Sequence, residues 1–257
     1  MKRTQWQVKL FSTCAMIAFI WPAYIAAGRI THWYMVRQLF VKSTNIGLSP
    51  RPLPDQSIAG LPGKRIELYG FSFQLPWNEE PIRKGGNAVT LLSFRNGAVL
   101  IVFNPATQLD SAKVMRDQIA KSPQDMIQAF GSAPFDTNYA LLSAELRSEP
   151  QRFVPWAPKN QLVQATILLP LKSMALSDAT AVYELKAGDL RGFQFGNPLT
   201  EKSVRLELFD AADRHYSIKI NVKPPLSSAL SQSEINAIIA SIHPLPPPAS
   251  TPQRFPT

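Results

Sequence analysis

Nineteen consecutive residues, Leu10 to Gly28, carry no charge and are mostly apolar. As a helix at about 1.5 Å per residue they reach about 28 Å, close to the roughly 30 Å hydrocarbon core of a bilayer. Lys2, Arg3 and Lys9 precede the run, and Arg29, Arg37 and Lys42 follow it. Trp6 on one side and Trp33 and Tyr34 on the other stand about 40 Å apart along such a helix, where aromatic residues meet the two headgroup layers. Pro22 lies inside the run, and membrane helices tolerate proline. A retained transmembrane signal-anchor over residues 10–28 is therefore expected.

Two processed forms compete with it. Ile25-Ala26-Ala27 is a passable signal-peptidase site. Against cleavage, the aromatic and basic pattern continues from Thr31 to Lys42, as for a helix leaving a membrane. A lipoprotein fits worse: Cys14 follows Phe11-Ser12-Thr13, which is no lipobox, and the apolar run comes after it.

The formal charge of +9 suggests a nucleic-acid binder until it is divided. Residues 1–54 hold seven basic residues and no acidic one, leaving 20 basic against 18 acidic residues for the rest. The basic excess belongs to the flanks of the apolar run, where it matches anionic lipid, so no nucleic acid is expected as a partner. Flanking charge leans slightly toward a cytoplasmic N-terminus. The main domain is expected outside the cytoplasm, in the periplasm. With a single cysteine, Cys14, no intramolecular disulfide exists to report on compartment.

Proline divides the remainder. Residues 1–9 form a short tail, and 29–62 read as a juxtamembrane helix and a Pro-rich linker with Pro50, Pro52, Pro54 and Pro62. Residues 63–243 have the size of one α+β domain, and 244–257 form a Pro-rich tail. Phe71, Phe73 and Leu75 alternate with Ser72 and Gln74 as a strand. Val89–Phe94 and Val99–Phe103 flank Asn96-Gly97, which predicts a hairpin with a type I′ turn, central in its sheet because both arms are apolar on both faces. A second hairpin joins Val204–Phe209 to Tyr216–Val222. Parity excludes a two-residue loop there, and opposite charges favour the register that sets Glu207 against Lys219 over the tighter one that sets Arg205 against Lys219.

Three helices are legible: Leu109–Lys121, Gln124–Phe130 ending at Gly131, and a last one opened by a Ser231/Glu234 capping box and a Leu230/Ile235 staple. Residues 160–175 read as a fourth by length, although Pro170 argues for a kink. The fold class expected is an antiparallel sheet packed by helices, α+β, behind one N-terminal membrane helix.

The strand Tyr69-Gly70-Phe71-Ser72-Phe73-Gln74-Leu75-Pro76-Trp77 resembles the opening of PsbP/Mog1-like domains. The closing hairpin through Tyr216–Val222 and the capped helix Glu234–Ile242 extend the likeness over roughly residues 66 to 243. The resemblance implies an α/β/α sandwich and a non-catalytic role, and it transfers no partner.

Chemistry is sparse. The three histidines, His32, His215 and His243, are scattered, and His215 beside Asp210 and Asp213 offers too few ligands for a firm metal site. G-x-S-x-G, S-x-x-K and H-E-x-x-H motifs are absent. Glu79-Glu80 reads as a solvated loop, and Arg83-Lys84-Gly85-Gly86 could form a small anion nest. No catalytic, cofactor-binding or metal residue is expected, and no cofactor. Trp77 and Trp156, each beside proline, either cap the core or anchor a partner. The expected function is a membrane-anchored binding or assembly domain of the cell envelope. Its partners would be the lipid bilayer through residues 10–28 and another envelope protein or a second copy. The competing class is a membrane-tethered hydrolase with a site built from scattered residues.

Overall fold

Strand and helix periodicities are grouped along the chain, and the structure, a computed structural model, sorts them into two units. It describes residues 45–122, 124–131, 135–150, 157–221 and 230–245. The apolar run 10–28 and Trp156 lie outside the described residues. Among the described residues no helix is long and apolar enough to cross a membrane.

One unit comprises residues 1–51 and 109–182, and its described elements are helical. They are α1 (Ser111–Ala120), α2 (Gln124–Phe130), α3 (Asn138–Arg147) and α4 (Lys159–Ala175). The first helix begins later than the sequence suggests. Asn104 caps a 3₁₀ turn over Pro105–Thr107, and Asp110 accepts the Lys113 N–H at 2.9 Å as the N-cap of α1. Gly131, at φ 78°, ends α2. The pattern does not announce α3, whose best signal is Thr137, an N-cap accepting the Ala140 N–H at 3.1 Å. Helix α4 runs through Pro170. Its buried residues include Leu162, Val163, Ile167, Leu168 and Leu169, and this packing offsets the hydrogen bond that proline removes. Met115, Ile119, Met126, Phe130, Leu141, Val163 and Ile167 join the four helices in one core.

The other unit comprises residues 52–108 and 183–257. Its strands, with β1 and the start of β7 at its boundaries, are β1 (Arg51–Pro52), β2 (Arg65–Leu68), β3 (Phe71–Gln74), β4 (Ile82–Gly85), β5 (Val89–Ser93), β6 (Val99–Phe103), β7 (Val182–Ala187), β8 (Leu190–Phe195), β9 (Ser203–Phe209), β10 (His215–Asn221) and β11 (His243–Pro244). The long sheet runs β1-β7-β8-β9-β10-β6-β5-β4, and a small one runs β11-β3-β2. The β5–β6 hairpin is not central, since only β4 separates it from the sheet edge. Helix α5 (Gln232–Ala240) has the expected capping box, with Leu230 and Ile235 both buried. Phe71 and Phe73 of β3, Ile235, Ile238 and Ile239 of α5, and Leu206, Leu208, Ile218 and Ile220 share one core on one face of the long sheet.

Two hairpins correct their expected registers. Ser93 pairs with Val99, and Gly97 N–H donates to the Phe94 carbonyl at 3.0 Å, so the loop has three residues. Only Gly97 takes positive φ, 85°. This is a turn closed by one left-handed residue, not a type I′ turn, and only an even-sum register sets Leu92 and Leu100 on the same buried face. The β9–β10 loop repeats the design with Asp213 at φ 57°. Phe209 pairs with His215 and Arg205 with Lys219, the register the charge argument rejected. A type I′ geometry does occur, at Tyr69-Gly70 (φ 52° and 78°) between Leu68 and Phe71.

The second half of the Pro-rich stretch is docked on this unit. Asn236 Nδ2 donates to the carbonyls of Asp55 and Ser57, each at 2.9 Å, and Leu53 and Leu61 pack against the core. His243–Pro244, where the tail was expected to begin, pairs with β3.

Candidate functional site

On the long-sheet face opposite the Leu206–Leu208 core, strand alternation collects Arg205, Glu207 and Phe209 from β9 with His215, Ser217 and Lys219 from β10. Phe193 and Phe195 of β8 join them, because they pair with Glu207 and Arg205. Cross-strand neighbours then determine the contacts. Phe209 stands opposite His215, and their rings stack at 4.5 Å and 11°. Arg205 stands opposite Phe195 and lies over its ring at 4.3 Å.

Glu207 is the hub, with its side chain 13% exposed. His215 Nε2 lies 2.6 Å from Oε2, and because a carboxylate only accepts, Nε2 carries the proton. Arg205 Nε lies 3.2 Å from Oε1, and Ser217, directly opposite on β10, donates its hydroxyl. Burial pushes the Glu207 carboxyl up, but the His215 hydrogen bond and charge, Arg205 and Ser217 outweigh it and hold the pKa below the usual value.

That order of groups limits the chemistry. In a Ser–His–acid relay the imidazole stands between hydroxyl and carboxylate and takes the proton. Here the carboxylate stands between imidazole and hydroxyl, accepting from both, while Arg205 Nε pairs with it by charge without a hydrogen bond. The cluster orders the sheet and is poorly suited to proton transfer.

The neighbouring loop is equally committed. Asp210 accepts the N–H groups of Ala212 (2.9 Å) and Arg214 (3.0 Å), Arg214 Nε (2.6 Å) and the Tyr216 hydroxyl (2.9 Å). Burial opposes ionisation of Asp210, yet these donors, above all the Arg214 backbone, lower its pKa. Burial, then Asp210, pushes the Tyr216 hydroxyl up to about 12. His215 therefore partners Glu207, whereas Asp210 serves Arg214 and Tyr216. Among the described residues no group of three or more His, Cys, Asp or Glu could hold a metal ion.

Trp77 is half-buried, 4.7 Å from Phe94, and packs against the edge of the core. Glu79 Oε1 accepts the Asn96 N–H at 3.4 Å, and Glu80 pairs with Lys64 and with Arg83 at 3.8 Å. Arg83, Lys84 and Gly85 are an extended strand, which replaces the anion nest.

In the helical unit, sequence motifs pass over two buried ionisable side chains. Glu145 of α3 is buried, and this pushes its carboxyl up to about 8. Lys172 of α4 is fully buried and donates from Nζ to the Ser148 carbonyl at 2.7 Å. Burial lowers its pKa to about 8, with Glu149 opposing the shift. The signal for Lys172 is a lysine among Leu169, Leu171 and Ala175, but composition does not separate a buried amine from a solvated one. No protein-family model, curated protein or solved structure matches the chain.

Proposed function

We propose that the protein is a single-pass membrane protein, anchored through residues 10–28, whose folded part binds another envelope component and carries out no catalysis. One observation carries the reading: nineteen uncharged residues flanked by basic and aromatic residues, ahead of a chain whose remaining charge is nearly balanced. Periplasmic placement of the folded part belongs to the same proposal, as does the PsbP/Mog1-like sandwich.

Two features of the site support a non-catalytic role. The Glu207 carboxylate accepts from His215 and Ser217 and is paired by charge with Arg205, and Asp210 accepts four bonds from its own loop and Tyr216. Neither is poised as a general base, for which a free acceptor and a pKa near the working pH are needed.

Crosslinking of the full-length membrane form followed by purification tests the reading. One stoichiometric neighbour is expected. A clean protein without a neighbour that turns over an ester, amide or phosphoester in a hydrolase screen would overturn it.

A further inference from the structure

Strand β4 ends the long sheet, and all four of its residues are exposed. Among the described residues no strand pairs with its outer side. The ladder indicates which backbone groups point outward. Gly86 N–H donates to the Val89 carbonyl at 3.1 Å, so that pair is hydrogen-bonded. Bonded and non-bonded pairs alternate in an antiparallel ladder, so Lys84 and Ile82 turn their backbone groups toward β5. Arg83 and Gly85 turn theirs away from it. The other end of the sheet is β1, where Pro52 has no N–H to offer.

Charge and shape restrict what fits this edge. Arg83 and Lys84 project to opposite faces. Arg83 shares Glu80 with Lys64, while among the described residues Lys84 makes no ion pair. A second copy fits poorly, because every antiparallel self-register centred on Arg83 and Lys84 sets cation against cation. On the Lys84 face, Ile82 is 63% exposed, and the cross-strand pair Val89 and Phe103 is 36% exposed at each residue. Gly85 and Gly86 place no side chain beside Val89, and a Cβ at Gly85 would come within 2.3 Å of the Val89 carbonyl oxygen. Gly85 is therefore held as glycine by the backbone, whereas a Cβ at Gly86 would meet nothing.

We infer that the outer edge of β4 takes up an extended acidic segment of a partner protein as an added strand. Arg83 and Gly85 make the main-chain bonds, Arg83 and Lys84 meet the partner's carboxylates, and an apolar side chain passes over Gly86 toward Val89. The inference rests on the binding function proposed above and names the surface and the chemistry of its partner.

The test titrates full-length protein in detergent with a capped heptapeptide alternating Val and Glu, read by binding and by amide hydrogen exchange. Protection of the Arg83 and Gly85 amides is expected. About tenfold weaker binding is expected for the peptide N-methylated at alternate residues, for a Val/Lys peptide, and for the Lys84→Glu and Arg83→Pro variants. The Arg83 N–H points away from β5, so R83P leaves that ladder intact, and K84E carries the test if R83P fails to fold. Equal binding of the N-methylated or Val/Lys peptide would overturn the proposal, as would self-association that R83P abolishes. A stoichiometric neighbour crosslinked equally to wild type, R83P and K84E would sink the edge proposal and leave the binding function standing. Absence of any neighbour, with hydrolase turnover, would sink the binding function itself.

Discussion

His215 and Glu207 are diagonal neighbours on one sheet face, 2.6 Å apart, although each has a different direct partner across the ladder. Removing Glu207 leaves the Arg205 guanidinium and the imidazole without their shared anion. Glu207→Ala is expected to destabilise the protein by about 3 kcal/mol, as for loss of one member of a largely buried ion pair. Chemical denaturation measures it. Unchanged stability would mean that the cluster is loosely solvated.

The same carboxyl sets an acid-side dependence. Its folded pKa is depressed, so its stabilisation is present above the unfolded value and is lost as pH falls through the folded value. Wild type is expected to lose stability on acidification below about pH 4.5 more steeply than Glu207→Gln. Parallel curves would contradict this.

On the alkaline side, Glu145 and Lys172 act in opposite directions. The raised Glu145 pKa means that stability falls as pH rises from the unfolded value toward about 8. The lowered Lys172 pKa means that its penalty is fully present below about 8 and is relieved as pH rises toward 10.5. A stability minimum near pH 8 is expected in the helical unit. Glu145→Gln should flatten the falling limb, by at most about 5 kcal/mol. Exchange protection of α3 amides as a function of pH reads this directly.

Turn geometry makes a fourth prediction. Asp213 holds positive φ without being glycine. Asp213→Gly is expected to be neutral or slightly stabilising, and Asp213→Val to cost about 1–2 kcal/mol. Thermal unfolding of both variants checks the three-residue loop, since a loop of another length would leave residue 213 insensitive.

Glycine contacts make a fifth. A Cβ at Gly192 would lie 2.0 Å from the Glu207 carbonyl oxygen and one at Gly63 would lie 1.9 Å from that of Leu75. Either Gly→Ala change should destabilise strongly, whereas alanine at Gly60, which meets nothing, should be silent. Soluble yield and melting temperature separate the outcomes.

Elements with local chemistry were legible in sequence. The Ser231/Glu234 box, the Gly131 stop and the apolar length of residues 160–175 each led to a helix that is present. Registers were less so. Parity allows two registers for this hairpin, and direct cross-strand charge disfavours the one that pairs Arg205 with Lys219. Arg205 turns to Glu207 and Phe195 instead, and the Asp210 loop fixes the register by its four accepted bonds. Asn96-Gly97 was a sound hairpin signal, but the turn type depended on which face Leu92 had to share with Leu100. The Glu207 cluster has no motif spacing in the sequence, since its members come together only through that register.

The proposed membrane anchoring requires residues 10–28 to stay in lipid. Intact mass of the protein recovered from alkali-washed membranes tests this most directly. A membrane-retained species with its N-terminal segment intact is expected. A form that begins near Gly28 and leaves with the wash would contradict it.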